Sequence, residues 1–323
     1  MRKLLLGTTA LAAAATLSAN AALADVSISG YYEWKMNSTS SQVAATDGTS
    51  FSSDSEIKFS FSNKTDSGLT IGMVTEMTSD GGDTAIDESS LSIAGGFGKV
   101  VLGQNDDVGD NYGVASSDLP KEEIMTAGQS DSIGIHNADI SGLEADSNKV
   151  AYHLPAMGGL TAGVSYMDSG ETGSADSTSV GFKYSMDAAG ASVTIGGATT
   201  TTEASAQDED TQVIGVSVNS GNITANVSQA TLELSGVDEE SNGAAVSFKV
   251  SDGMTFTVHT TETEDNSTSE EYTNTGAEIA YTIASGLTAY INVEDYDYKV
   301  GTTSSANTAD SGTASKLTIK ATF

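Results

Sequence analysis

The sequence predicts an all-β protein, a transmembrane antiparallel β-barrel of 16 strands. Three observations carry that expectation. Apolar residues recur at every second position in 16 short segments. The connectors alternate between tight glycine-bearing turns and longer polar stretches. After an apolar N-terminal run, no stretch is long and apolar enough to cross a membrane as a helix.

The N-terminus reads as an export signal. Met1-Arg2-Lys3 is basic, and Leu4 to Leu17 is apolar but too short for a comfortable span. Ala22-Leu23-Ala24 has the small-x-small form of a cleavage site. Residues 1–24 are therefore expected to be removed, leaving 25–323; a plain membrane anchor is the alternative. The chain has no cysteine, so an exported protein must be stabilised by something other than disulfides.

Charge excludes one class of partner. Without Arg2 and Lys3 the chain keeps 11 lysines and no arginine against 44 acidic residues. Nucleic acid is not a partner, because phosphate binding needs basic residues. Such acidity also suits disorder, but the regular alternation argues against it.

The segments follow in order. The first holds Val26, Ile28, Tyr32, Trp34 and Met36, interleaved with Ser27, Ser29, Glu33 and Lys35. The second holds Ile57, Phe59 and Phe61; the third holds Leu69, Ile71, Met73 and Met77. Next come centres at Leu91-Ile93, Val100-Leu102, Val150-Leu154, Leu160-Tyr166 and Val180-Tyr184. Val193-Ile195, Val213-Val218, Ile223-Val227 and Val246-Val250 continue the series. Met254-Val258, Ile279-Ile283, Leu287-Val293 and Leu317-Phe323 complete it.

Seven connectors are tight, and their glycines stand at 68, 98, 159, 190, 221, 253 and 286. Sixteen strands with both termini on one side need seven turns there and eight loops opposite. Long acidic stretches such as 199–210 and 260–274 read as the opposite loops. The glycines recur every 30 to 33 residues except between Gly98 and Gly159, where the step is 61. That hairpin holds an oversized loop at 104–146, and loops of that length inside a compact fold are usually functional.

A soluble sandwich would bury the apolar face. A membrane barrel turns that face to lipid and the polar face to a lumen, and closure leaves no unpaired strand edge. "SISGYYEWKM" resembles the first strand of a Gram-negative outer-membrane general-diffusion porin of the alphaproteobacterial kind. "GGFGKVVLGQND" is similar to the turn into strand five of that family, and "SKLTIKATF" to its last strand. The resemblance covers 25–323 and rests on the order of signal, turns, long third loop and terminal Phe323. It implies a water-filled homotrimer in outer-membrane lipid, passing ions and small hydrophilic solutes. It implies that Phe323 is the assembly signal read by the outer-membrane assembly machinery, and that the third external loop, 104–146, folds inward to form the constriction.

Such porins set acids on that loop against a basic wall. The loop offers Asp106, Asp107, Asp110, Asp118, Glu122 and Glu123 as constriction acids. Parity places Lys35, Lys58, Lys316 and Lys320 on the inner wall, with Lys149, Lys183 and Lys249 also inward. The usual arginines of the family are absent, and lysine presents a flexible point charge in place of a rigid fork. Inward Glu33, Glu56, Glu76, Glu278 and Glu294 weaken the wall further. A cation-preferring, weakly selective pore is expected.

Calcium is a second expectation. Asp80 and Asp83, and Asp106, Asp107 and Asp110, cluster hard oxygen donors, although neither group matches an EF-hand and solvated turns are the better reading of both. No cofactor is otherwise implied. Catalysis has little to build on: the histidines are His136, His153 and His259, and no H-E-x-x-H or G-x-S-x-G is present. Parity turns His153 and His259 to the lumen, where wetted side chains are expected. Tyr31, Tyr32, Trp34, Tyr166, Tyr184, Phe97 and Phe323 are expected in aromatic girdles near the strand ends. A solute-specific channel and a secreted acidic adhesin or β-solenoid remain as alternatives.

Overall fold

The computed structural model describes residues 25–42, 47–80, 83–121, 148–168, 176–203, 208–234, 236–301 and 309–323. The expected export signal, 1–24, lies outside them. Among the described residues the strands are β1 (Asp25–Ser41), β2 (Gly48–Lys64), β3 (Thr70–Asp80), β4 (Asp83–Gly95) and β5 (Gly98–Gln104). There follow β6 (Asn148–His153), β7 (Leu160–Met167), β8 (Asp176–Ala188), β9 (Ala191–Glu203), β10 (Glu209–Ser220) and β11 (Ile223–Leu234). The last are β12 (Val237–Ser251), β13 (Met254–Asp265), β14 (Glu270–Ala284), β15 (Leu287–Lys299) and β16 (Asp310–Thr322). Each pairs antiparallel with its sequence neighbour, and β16 pairs with β1, so all 16 close into one barrel. Every segment expected from the alternation is one of these strands.

The two faces are inverted relative to a water-soluble protein. Ile28, Phe51, Val180, Ile214, Val227 and Ile291 stand exposed on the outer face. Glu33, Glu76, Thr200, Asn274, Glu278 and Glu294 are buried on the inner one. Exposing so many large apolar side chains to water forgoes about 1.5–3 kcal/mol for each one. Facing them to hydrocarbon removes that penalty, and the closed ladder satisfies the backbone without water.

The tight turns join β2 to β3, β4 to β5 and onward in alternation, as the glycine spacing requires. Gly68, Gly98, Gly159, Gly190, Gly221 and Gly286 adopt positive φ, between 62° and 111°. Gly253 is the turn glycine that does not. At the first turn the Gly68 amide donates to the Thr65 carbonyl at 2.9 Å, and the Leu69 amide to Thr65 Oγ1 at 3.0 Å.

Two expectations are corrected. The acidic stretches 199–210 and 260–274 are largely strand, not loop: β9 runs on to Glu203, β10 starts at Glu209, and only 266–269 separates β13 from β14. Above the apolar band the outer positions become Thr199, Thr201, Glu262 and Glu264, so pairing continues while the hydrophobic contrast that signals a strand disappears. Tyr31 belongs to no outer girdle. It faces inward, its hydroxyl donating to Asp54 at 3.2 Å and its ring lying 4.3 Å from Lys320 Nζ. Tyr32 and Trp34 do face outward, and Trp34 stacks on Phe51 with centroids 5.6 Å apart.

Candidate functional site: a segment laid along the inner wall

After β5 the chain turns into the barrel. Short helix α1 (Val108–Tyr112) and a single 3-10 turn at Ser116–Asp118 carry it along the inner face. Val108 and Tyr112 pack on Val101 and Ala151, the inward residues of β5 and β6. Asp107, only 1% exposed, anchors the start. Its carboxylate accepts from Ser165 Oγ of β7 at 2.7 Å and from Thr200 Oγ1 of β9 at 2.8 Å. Its carbonyl accepts from Asn111 Nδ2 at 2.8 Å. Tyr112 Oη and His153 Nδ1 are 2.9 Å apart.

Further on, Asn226 Nδ2 of β11 donates to the Ala115 carbonyl at 2.8 Å, and the Ser116 amide donates to Ser228 Oγ at 2.8 Å. The Lys121 amide donates to the Glu278 carboxylate of β14 at 3.0 Å. Residues 105–121 thus cross the inner face from β5 to β14, bonded to a wall of Ser, Thr, Asn and Glu.

The remaining wall, on β16, β1, β2 and β3, is charged. Lys35 Nζ lies 2.8 Å from Glu33 and 3.6 Å from Asp54. Lys320 pairs with the other oxygen of Glu33, and Lys58 with Glu76. The register explains the pairing: Glu33 stands between Lys320 and Asp54, and Lys58 opposite Glu76. With Glu56 opposite Tyr31, three lysines stand among four carboxylates.

The comparisons with known proteins agree with this geometry. A family model described as Gram-negative porin matches residues 7–302. The chain belongs to the Gram-negative porin family. The barrel of this porin is similar to the anion-selective porin of Comamonas acidovorans, with a TM-score of 0.69 at 18% identity, covering 93% of this chain and 100% of that one. It is similar to OmpT of Vibrio cholerae in its trimer form, with a TM-score of 0.67 at 14% identity, covering 93% and 99%. A variant of the Rh. blastica porin gives a TM-score of 0.64 at 16% identity, covering 93% and 100%. No curated protein sequence matches the chain. The protein is an outer-membrane channel of a Gram-negative bacterium.

The porin's expected site residues fall into distinct groups. Asp106, Asp110 and Asp118 are exposed on the segment, whereas Asp107 is turned into the wall. Glu122 and Glu123 lie outside the described residues. Lys35, Lys58, Lys316 and Lys320 occupy inward positions, Lys316 standing opposite Asn37 and Asn292. The side chains of Asp80 and Asp83 are not among those described; their backbones face each other at the end of the β3–β4 hairpin. Among the described residues no three Asp, Glu or His side chains form a group fit to hold a metal ion.

Of the two described histidines, both inward, His153 is half-buried with Nδ1 2.9 Å from Tyr112 Oη. His259 is not wetted: it is 4% exposed, with Nε2 3.7 Å from Glu294. His136 lies outside the described residues. Sequence reasoning placed Glu278 on the inner wall but did not single out the other residues that hold the segment: Ser165, Thr200, Asn226 and Ser228. Their inward parity was readable; their partners on the loop were not.

Proposed function

We propose that this porin conducts ions and small hydrophilic solutes by passive diffusion, with a preference for cations, and that it catalyses no reaction. The observation that carries the preference is the local neutralisation of the lysine wall. Lys35, Lys58 and Lys320 are each matched by a wall carboxylate, so they offer anions little unbalanced charge. Asp106, Asp110 and Asp118 stand exposed on the segment facing the lumen. A net negative lining in a narrow aqueous passage concentrates cations. High salt weakens that effect, since the screening length is about 8 Å at physiological ionic strength. Reversal potentials under a KCl gradient test it: a cation-selective sign is expected, and an anion-selective sign refutes the preference. The Comamonas protein, similar in fold, is named anion-selective, so the fold does not dictate the sign.

The working form is a homotrimer. The outward positions of β16, β1, β2 and β3 carry no charged side chain among those described, and Ser53, Ser55 and Thr75 interrupt their apolar band. Small polar residues on a membrane face favour close protein contact over lipid. On β12 to β15, by contrast, Glu240, Glu262, Glu264, Glu271 and Asp295 mark a face exposed above the lipid. A heat-modifiable oligomer on unboiled gels is expected; a monomer at all temperatures refutes it. Phe323, exposed beyond the last strand, supplies the assembly signal.

A further inference from the structure

Four consecutive strands carry a glycine on the inner face where the segment crosses: Gly163 on β7, Gly181 on β8, Gly196 on β9 and Gly215 on β10. Gly163 stands directly opposite Gly181, and Gly196 directly opposite Gly215. Glycine inside a strand forgoes packing and costs backbone entropy, and it marks a close approach by another backbone.

The approaching backbone is that of residues 108–114. A Cβ at Gly181 would stand 2.7 Å from Tyr112 Cβ and 3.1 Å from the Val108 carbonyl oxygen. One at Gly163 would stand 2.8 Å from Tyr112 Cε2, and one at Gly196 2.6 Å from both the Tyr112 carbonyl oxygen and Val114 Cγ2. One at Gly215 would strike the Val114 carbonyl oxygen. The segment answers with a small residue of its own: a Cβ at Gly109 would press on Asp107, Ser179 and Thr200 at 3.3–3.4 Å.

We propose that Gly163, Gly181, Gly196 and Gly215 are the positioning residues of the constriction. They form a trench that sinks Val108–Val114 into the wall, and the Asp107 carboxylate locks the segment there through Ser165 and Thr200. Pore width is therefore set by what these four positions carry. A side chain in the trench lifts the segment toward the lysine wall and narrows the passage. The proposal rests on the reading of the lumen as a diffusion channel.

The test is Gly181→Ala and Gly196→Ala, with Gly197→Ala as control. Gly197 lies on the same strand as Gly196 but on the outer face, its Cβ meeting Val213 and Phe182 and nothing of the segment. Single-channel conductance and the sugar size limit in liposome swelling are measured on protein shown to assemble. Both are expected to fall in the trench variants and to hold in Gly197→Ala. Gly196→Ala combined with Val114→Ala, which removes the clashing methyl, regains part of the loss. Trench variants that assemble and conduct like wild type overturn the proposal while leaving the channel reading intact; a wild type without channels overturns the channel reading itself. Hydrogen exchange on the wild-type protein adds an arm that needs no variant. The amides of Val108, Asn111 and Gly113 are expected to exchange as slowly as the strands, and exchange at the rate of the external turns overturns the proposal.

Discussion

Replacing Asp107 by alanine releases the segment without placing any new volume in the wall. The carboxylate is buried and takes two hydroxyl hydrogen bonds, from Ser165 and Thr200. Hydrogen bonds to a charged group contribute about 1.5–3 kcal/mol each, so the pair holds the segment with about 3–6 kcal/mol. Part of this is recovered in the variant. Thr200 Oγ1 already lies 2.9 Å from Ser179 Oγ and can bond there alone. A net loss of about 3 kcal/mol remains, which multiplies the undocked population about a hundredfold. Asp107→Asn keeps the shape and one acceptor oxygen, and loses about half as much, or about tenfold. The cost falls on the segment and not on the barrel, whose closed ladder Asp107 does not join. Planar-bilayer recordings are the assay: open-channel noise and brief closures rise steeply in the alanine variant and modestly in the asparagine one, with heat-modifiability of the oligomer unchanged. Recordings of Asp107→Ala as quiet as wild type refute the reasoning, because the anchor would then carry no weight.

Three further outcomes are expected. Neutralising Asp106, Asp110 and Asp118 together to asparagine moves the reversal potential in a KCl gradient toward zero, and the difference from wild type shrinks at high salt. Glu33→Gln removes the carboxylate shared by Lys35 and Lys320, so the selectivity shifts toward anions; an unchanged reversal potential would show that the wall pairs do not face the permeating ions. Phe323→Ser leaves the strand pairing of β16 with β1 and β15 intact but lowers the amount of heat-modifiable oligomer in the outer-membrane fraction.

The barrel was legible in the sequence because a membrane imposes a period of two on every strand, with one face for lipid and one for water. Parity alone put Lys35, Lys58 and Glu278 inside. The signal failed where the lipid ends: Thr199 to Glu203 and Thr260 to Asp265 pair as strands without any apolar contrast. Aromatic character misled at Tyr31, since a tyrosine suits either an outer girdle or an inner hydrogen bond to a carboxylate such as Asp54. The loop acids looked alike because nothing local distinguishes an acid that faces water from one that faces hydroxyls on distant strands. Asp107 is bonded to residues 58 and 93 positions away. One clue was present: Gly163, Gly181, Gly196 and Gly215 share inward parity on successive strands, where a packed strand favours larger side chains.

The wild-type protein in a planar bilayer under a KCl gradient gives the most direct test. Stable open channels are expected, with a reversal potential that has the sign of cation preference and fades as salt rises. A membrane that stays silent, or a reversal potential of the anion-selective sign, contradicts a cation-preferring channel.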